Sequence, residues 1–188
     1  PSKQHQILLP RIRKKIRKLK SLPGKLPKIN ITEIEKLLKN KDLLVGAGTV
    51  RTVKDVKKVE AIGARFIVSP DTNEDVITAT KKLKLVSMPG VSTPTEVGIA
   101  VDAGADILKL FPASSYGPAH LKALRDPFPG NLWCPTGGLS VGAVPDWFAA
   151  GANMVGLGGP LLKGGLSAIP ANVAAFLAAV AQAREINS

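Results

Sequence analysis

One lysine stands in a setting that suits covalent chemistry. Lys109 lies within the apolar stretch "ADILKLFPAS", residues 105–114, and no acidic residue stands directly beside it. Burial disfavours the charged form of a lysine, and the neutral amine can attack a carbonyl carbon to form a Schiff base. Two structural alternatives stay open on the residues alone: the side chain reaches the rim of the fold, or it pairs with an acid from another strand.

The alternation of a β-strand gives Lys109 a direction. It shares one face of the strand with Ile107 and Phe111, whereas the intervening leucines occupy the other face. The leucine face is predicted to meet helices, so Lys109 is predicted to point away from them, into the interior of a barrel. Because Pro112 ends the strand, the lysine is expected near the C-terminal mouth of that barrel.

Two glycine-rich stretches follow later apolar runs. They are "PTGG" at residues 135–138 and "GLGGP" at residues 156–160. Glycines let backbone N–H groups approach an anion, and a barrel enzyme often binds phosphate in the loops after its seventh and eighth strands. Either pair alone also fits an ordinary turn or a helix C-cap. Together, in consecutive loops, they predict a phosphate site.

The elements that must position these residues form a repeat. Six apolar runs, each followed by a turn and a helical pattern, have centres about 19 to 25 residues apart and cover residues 43–47, 65–69, 85–88, 106–111, 131–134 and 153–157. Regular alternation of strand and helix predicts a parallel sheet in an α/β fold.

Two further units in the first 42 residues would complete a (β/α)8 TIM barrel as a single domain over residues 1–188. The candidate strands are residues 5–9 and 27–32, and the candidate helices are residues 11–20 and 33–39. These first two units are short or irregular, because Pro23 and Pro27 interrupt them. An open doubly wound sheet is the alternative architecture.

The stretch Thr93-Pro94-Thr95-Glu96 matches the start of a helix. Thr93 fits an N-cap, Pro94 the first helical position and Glu96 the third residue of a capping box. We therefore interpret Glu96 as a capping residue and not as a catalytic acid.

Charge and composition narrow the function classes. The net charge is +12, and residues 1–42 carry 13 Lys and Arg against three acids, which leaves 13 − 3 = +10 in that segment. Its Ile12, Ile16 and Leu19 would form one apolar stripe on a cationic helix, so a solvated helix face is favoured over nucleic-acid binding. A single cysteine, Cys134, excludes an internal disulfide and does not suggest a metal site. No apolar run of about 18 residues indicates a membrane span, so a cytoplasmic protein is expected.

Seven motifs, in this order, resemble those of the 2-keto-3-deoxy-6-phosphogluconate aldolase and 4-hydroxy-2-oxoglutarate aldolase family. They are "VGAGTV", "FIVSP", "MPGVSTPTE", "ILKLFPAS", "GPAHLKALRDPFP", "CPTGG" and "VGLGGPLL", between residues 45 and 162. The resemblance implies a class I aldolase that forms homotrimers and needs no metal or organic cofactor.

The same resemblance assigns roles to individual residues. Lys109 would form the Schiff base with the keto carbon, and Thr49 would contact the pyruvate carboxylate. Phe111 would wall the pocket, with Pro89 and Gly90 shaping its rim. Thr136 would touch the substrate, and the phosphate would be held by main-chain N–H groups of Gly137, Gly138, Gly158 and Gly159.

The chain departs from the family pattern in two places. Pro160 stands where relatives often have a serine, which removes a hydroxyl and an N–H from the expected phosphate site. In the expected second strand, "LPKINIT" at residues 26–32 has Lys28 or Asn30 where the family has a proton-transferring glutamate. Glu33 would replace it only if the strand ran later.

These patterns predict a lyase that splits 2-keto-3-deoxy-6-phosphogluconate-type sugar acids into pyruvate and glyceraldehyde 3-phosphate. The first alternative is an aldolase-derived trimeric scaffold or binding protein with little turnover, because the glutamate is absent. A second alternative is a phosphate-binding barrel of another chemistry, such as an isomerase. Neither a membrane nor nucleic acid is expected as a partner.

Overall fold

The computed structural model describes residues 29–186. The helices are α1 (Ile31–Leu38), α2 (Val53–Ala61), α3 (Glu74–Lys82), α4 (Pro94–Asp102), α5 (Ala113–Tyr116), α6 (Pro118–Arg125), α7 (Val144–Ala149) and α8 (Ile169–Ile186). The strands are β1 (Phe66–Val68), β2 (Val86–Met88), β3 (Gly90–Val91), β4 (Ile107–Leu110) and β5 (Leu132–Trp133). Short 3-10 turns lie at Val141–Ala143, Gly159–Leu162 and Leu166–Ala168.

Six extended segments lie side by side in chain order, all parallel. Four of them contain the named strands, with β2 and β3 in one segment, and the other two are the outermost segments, at Ala47 and Gly156. β1 pairs with β2, and β3 and β5 flank β4. The outermost segments join through isolated bridges, Ala47 to Ile67 at one edge and Gly156 to Thr136 at the other. Within residues 29–186 this sheet is an open arc and not a closed barrel. The predicted parallel α/β arrangement is therefore confirmed.

The two faces of β4 separate a core from a site. Leu108 and Leu110 are fully buried and belong to a cluster that contains Leu121 of α6 and Trp147 of α7. The sheet is thus packed against its helices on the leucine face. Lys109 lies between these leucines in sequence, so it faces the opposite side of the sheet, as the alternation predicts.

The segment before residue 42 corrects part of the sequence prediction. Residues 27–32 were expected to form a strand, but Ile31 and Thr32 open helix α1, and Asn30 is its N-cap. Its side-chain oxygen accepts a hydrogen bond from the Glu33 amide at 3.3 Å, and this local bond competes with an extended backbone. Helix α1 agrees with the expected helix at residues 33–39. The expected strand at 5–9 and helix at 11–20 lie outside the described residues.

Helix α4 begins as its sequence indicates. Thr93 accepts a hydrogen bond from the Glu96 amide, and the Glu96 carboxylate accepts hydrogen bonds from the amides of Ser92 and Thr93, both at 2.8 Å. Pro94 occupies the first turn. Glu96 is therefore confirmed as a capping residue.

Helix α8 closes the described chain. Together with the turn before it, residues 166–186, it is long and apolar enough by composition to cross a membrane, with a mean hydropathy of 1.6. One such helix is weak support for insertion, since an apolar helix of a soluble fold passes the same test. Phe176 and Ala183 are buried against Val144 and Phe148 of α7, so α8 packs as the last helix of the α/β unit.

Candidate active site

The predicted nucleophile occupies a buried position on a central strand. Lys109 of β4 is 8% exposed, and its Nζ lies 4.2 Å from the centre of the Phe111 ring. Within residues 29–186 no carboxylate forms an ion pair with it. Of the two structural alternatives, pairing with an acid is not observed in this part of the chain.

The electrostatic setting of Lys109 favours the neutral amine. Burial lowers the pKa of its ammonium group, and the thiolate form of nearby Cys134 would offset part of that shift. Burial also raises the pKa of the Cys134 thiol, so the thiol stays protonated and contributes little negative charge near neutral pH. A lysine of this kind can act as a nucleophile on a carbonyl carbon.

The strand next to Lys109 shapes the space around it. Gly90 of β3 is in parallel register with Lys109, so their Cβ directions lie on the same face of the sheet. A Cβ at Gly90 would overlap the Pro70 carbonyl oxygen and lie 3.0 Å from the Asp71 amide nitrogen. The Pro70–Asp71 turn therefore occupies room on the lysine side of the sheet that a larger residue at position 90 would fill.

Pro89 is also next to Lys109. Both Pro89 and Gly90 are buried, and the Pro89 carbonyl accepts a hydrogen bond from the Lys109 amide at 2.9 Å. Phe111 directly follows β4 and is joined to Pro112 by a cis peptide bond. The structure thus brings Lys109, Phe111, Pro89 and Gly90 together.

The two glycine-rich loops lie beside each other. Thr136 and Gly156 form a parallel bridge, and a Cβ at Gly156 would overlap the Thr136 side chain. Gly137 and Gly138 have φ angles of +99° and +72°, a backbone conformation that favours glycine. Gly158 and Gly159 begin the 3-10 turn in the neighbouring loop and are exposed.

Space and polar groups adjoin the first of these loops. The Ser114 amide donates to the Gly137 carbonyl at 3.0 Å, and a cavity of about 250 Å³ is lined in part by Gly138, Ser114 and Ser140. The Thr136 hydroxyl is engaged in a short-range hydrogen bond, because its Oγ1 donates to the Cys134 carbonyl at 3.1 Å.

Thr49 is the predicted site residue that stands apart from the others. It has a φ of +59° and an exposed side chain, and among the described residues it makes no hydrogen bond to Lys109 or to the glycine loops. It does lie at the C-terminal end of the segment that bridges to β1, on the same side as the Pro70–Asp71 turn. The structure therefore shows Thr49 as an exposed residue at the end of this segment, without a hydrogen bond to Lys109.

Glu33, which would replace the missing glutamate only if the second strand ran later, lies in a helix. Glu33 lies in the first turn of α1 and pairs with Lys36 at 2.9 Å, with both side chains more than half exposed. Asn30 is engaged in capping the same helix. Neither residue lies in a strand, so the idea that a later second strand carries Glu33 is wrong.

Comparison with known proteins agrees with this arrangement. A family model described as KDPG and KHG aldolase matches residues 27–175. The chain belongs to this aldolase family. It is 44% identical over 126 residues to a probable 2-dehydro-3-deoxy-6-phosphogalactonate aldolase of Rhizobium meliloti (strain 1021), covering 66% of this chain and 59% of the relative. The chain thus spans about three fifths of the length of the curated aldolase it matches.

Solved structures of aldolases superpose on the same region. One described as native KDPGal matches with a TM-score of 0.78 at 31% identity, covering 81% of this chain and 76% of the other. A KDPG aldolase from Legionella pneumophila, with pyruvate captured as a covalent carbinolamine intermediate, matches with a TM-score of 0.67 at 31% identity, covering 80% and 74%. The described part of this aldolase family member therefore has a TIM-barrel-like α/β fold.

Two charged residues that the sequence analysis did not single out form an ion pair beyond the ends of two neighbouring segments, with Nε of Arg51 2.9 Å from Oδ2 of Asp71. Arg51 follows the "GAGTV" motif and Asp71 follows "FIVSP". Their positions directly after two strand-like runs were the available signal, because loops at the C-terminal ends of parallel strands carry functional groups.

Proposed function

We propose that this chain is a class I aldolase, a lyase that cleaves a 2-keto-3-deoxy phosphosugar acid through a Schiff base on Lys109. The observation that carries the proposal is the buried lysine without a carboxylate partner among the described residues, on the strand that the family motif marks. Membership of the aldolase family and the relatives' names support it. They do not favour the scaffold alternative.

The reaction follows from the chemistry of an amine. The neutral Nζ of Lys109 attacks the keto carbon of the substrate, and loss of water gives an iminium ion. A base takes the proton of the carbon-4 hydroxyl, the bond between carbons 3 and 4 breaks, and its electron pair passes to the iminium to form an enamine. The aldehyde half is glyceraldehyde 3-phosphate. Protonation of the enamine at carbon 3 and hydrolysis release pyruvate and restore the amine.

The remaining roles belong to the same proposal. Thr49 would bind the pyruvate carboxylate, and Phe111, Pro89 and Gly90 would enclose the reacting end. Thr136 would contact the substrate, and the backbone N–H groups of the two glycine pairs, Gly137, Gly138, Gly158 and Gly159, would hold the phosphate. Their adjacency across the Thr136–Gly156 bridge supports a shared anion site.

The architecture proposed for the whole chain is one (β/α)8 barrel domain over residues 1–188, acting as a cytoplasmic homotrimer. The six parallel segments in chain order and the superposition on aldolase structures support the barrel. Its test is size determination by light scattering, where a trimer of 19.7 kDa chains is expected. A monomer would contradict the assembly without contradicting the chemistry.

The decisive test of function is borohydride trapping with pyruvate. Reduction of the imine should add a pyruvyl group to one residue, and peptide mass spectrometry should place it on Lys109. The Lys109→Ala variant, shown by circular dichroism to be folded, should give no adduct. A folded wild-type chain that forms no adduct would refute the class I assignment.

A further inference from the structure

We propose that Arg51, held in place by Asp71, binds the carboxylate of the keto acid and so determines specificity for the donor substrate. The inference rests on the proposed function. It concerns a charged pair at the C-terminal edge of the sheet that no motif assigns.

Arg51 contacts Asp71 through the inner nitrogen of its guanidinium group. Nε of Arg51 donates to Oδ2 of Asp71 at 2.9 Å, and within residues 29–186 the structure shows no other hydrogen bond to the guanidinium. The terminal nitrogens of Arg51 are thus left with their N–H groups, which match the two oxygens of a carboxylate. The Arg51 side chain is 41% exposed, so an anion can reach it.

Asp71 lies in a turn that is anchored to the neighbouring strand. Its Oδ1 is buried without a hydrogen-bond partner in the described part of the chain, and the neighbouring Thr72 hydroxyl donates to the Gly90 carbonyl at 2.7 Å. Its backbone fills the space beside Gly90. Asp71 therefore acts as a positioning residue, because it orients Arg51 from a turn that is anchored on strand β3.

The geometry connects this pair to the lysine. Gly90 is in register with Lys109, and the Pro70–Asp71 turn lies on the face of the sheet toward which the lysine side chain points. Arg51 itself is two residues beyond Thr49, at the C-terminal end of the segment that pairs with β1. The cation thus lies at the C-terminal edge of the sheet, where it contacts the turn that packs beside Gly90.

The substrate has two anionic groups, a carboxylate and a phosphate, and Arg51 could bind either. The glycine pairs lie in the loops at the opposite edge of the arc, after β5 and at Gly156, whereas Arg51 lies after the first segment of the sheet. Because the proposed function assigns the phosphate to the glycine loops, we assign the arginine to the other anionic group of the substrate, the carboxylate. An arginine here supplies charge that the backbone groups of the glycine loops do not.

The test measures how borohydride trapping depends on pyruvate concentration in four variants. Arg51→Gln should raise the half-saturating pyruvate concentration by about 10- to 100-fold, the effect of losing a charge-assisted hydrogen bond. Arg51→Lys should have a half-saturating concentration between those of wild type and Arg51→Gln. Lysine keeps the positive charge but lacks the paired N–H groups of the guanidinium. Asp71→Asn should raise the concentration several-fold. Arg65→Gln, which alters an exposed arginine at the opposite end of β1, should not change it.

Two further comparisons show which group of the substrate Arg51 contacts. Acetone forms an imine but has no carboxylate, so its trapping should be the same in wild type and Arg51→Gln. Condensation of pyruvate with glyceraldehyde 3-phosphate, compared with glyceraldehyde, reports on the phosphate, and Arg51→Gln should change the half-saturating concentration of neither aldehyde.

The outcomes distinguish this inference from the function on which it rests. No adduct in wild type would refute the proposed function and the inference together. An adduct on Lys109 whose pyruvate dependence is equal in Arg51→Gln and Arg65→Gln would refute the inference alone. The inference would also be overturned if Arg51→Gln lost acetone trapping as much as pyruvate trapping. It would be overturned as well if the variant changed only the half-saturating concentration of the phosphorylated aldehyde.

Discussion

Gly90 and Lys109 are register partners on adjacent parallel strands, and the side chain that Gly90 lacks would occupy the place of the Pro70–Asp71 turn. The relationship links the proposed nucleophile to the turn that follows β1. It means that the space on the β3 side of Lys109 is limited by a close backbone contact.

Replacing Gly90 by alanine should damage this contact. The added Cβ would overlap the Pro70 carbonyl, and because backbone atoms cannot turn away, the substitution should destabilise the protein by about 1–3 kcal/mol and reduce pyruvate trapping. Urea unfolding and the trapping yield measure the two effects. Gly98→Ala is the matched control: Gly98 lies within helix α4 with open space around its Cβ position, so the change should stabilise the helix by up to about 1 kcal/mol. Equal behaviour of the two variants would contradict the close approach at Gly90.

Lys109→Met should increase the free energy of unfolding at pH 7 while abolishing the adduct. Burial lowers the pKa of Lys109 in the folded chain below its ordinary value of 10.5, so the charged form opposes folding. This penalty is fully present below the folded pKa. Between the folded pKa and 10.5 the unfolded chain binds the additional proton, so wild-type stability rises with pH and the advantage of methionine shrinks.

Urea unfolding at pH 7 and at pH 10 provides the measurement for Lys109→Met. Lys122→Met, on an exposed position of α6, should change the stability by less than about 0.5 kcal/mol at either pH. If Lys109→Met were less stable than wild type at pH 7, the lysine would have to be satisfied by its surroundings, against the assignment made from burial.

The rate of adduct formation should rise with pH and level off below 10.5. Only the neutral amine attacks pyruvate, and the lowered pKa of Lys109 moves the midpoint of this rise below that of an exposed lysine. Initial trapping rates between pH 6 and pH 10 give the midpoint, provided that circular dichroism shows the same fold throughout. A midpoint at or above 10.5 would mean that burial does not control the proton on Lys109.

Loss of the cap of α4 should affect stability and leave the chemistry intact. Thr93→Ala removes the acceptor for the Glu96 amide and should cost about 1 kcal/mol in urea unfolding. Burial would raise the pKa of the Glu96 carboxyl, but hydrogen bonds from Ser92 and Thr93 outweigh it and hold that pKa below its ordinary value. The stabilisation from Glu96 is therefore lost as pH falls through that lowered pKa. Thr93→Ala should form the Lys109 adduct to the same yield as wild type, whereas a parallel loss of adduct would assign this turn a catalytic role.

Several features were predictable because they depend on short-range patterns. The apolar runs gave the parallel segments in their order, and the Thr93–Glu96 spacing gave the cap, since both follow from the repeat of side chains along one element. The motifs identified the family. The second strand was predicted wrongly at Ile31 and Thr32, because the capping bond from the Asn30 side chain favours a helix over the extended pattern.

The sequence by itself determined that this chain has a parallel α/β fold, that Lys109 lies on an inward face, and that it belongs to an aldolase family. Only the tertiary structure decided what surrounds the lysine. The register of Gly90 with Lys109, the pairing of Arg51 with Asp71 and the adjacency of Thr136 and Gly156 each join residues that lie 19 or 20 positions apart. Such contacts are set by how neighbouring strands align and how their loops pack, and no local pattern along the chain encodes that alignment.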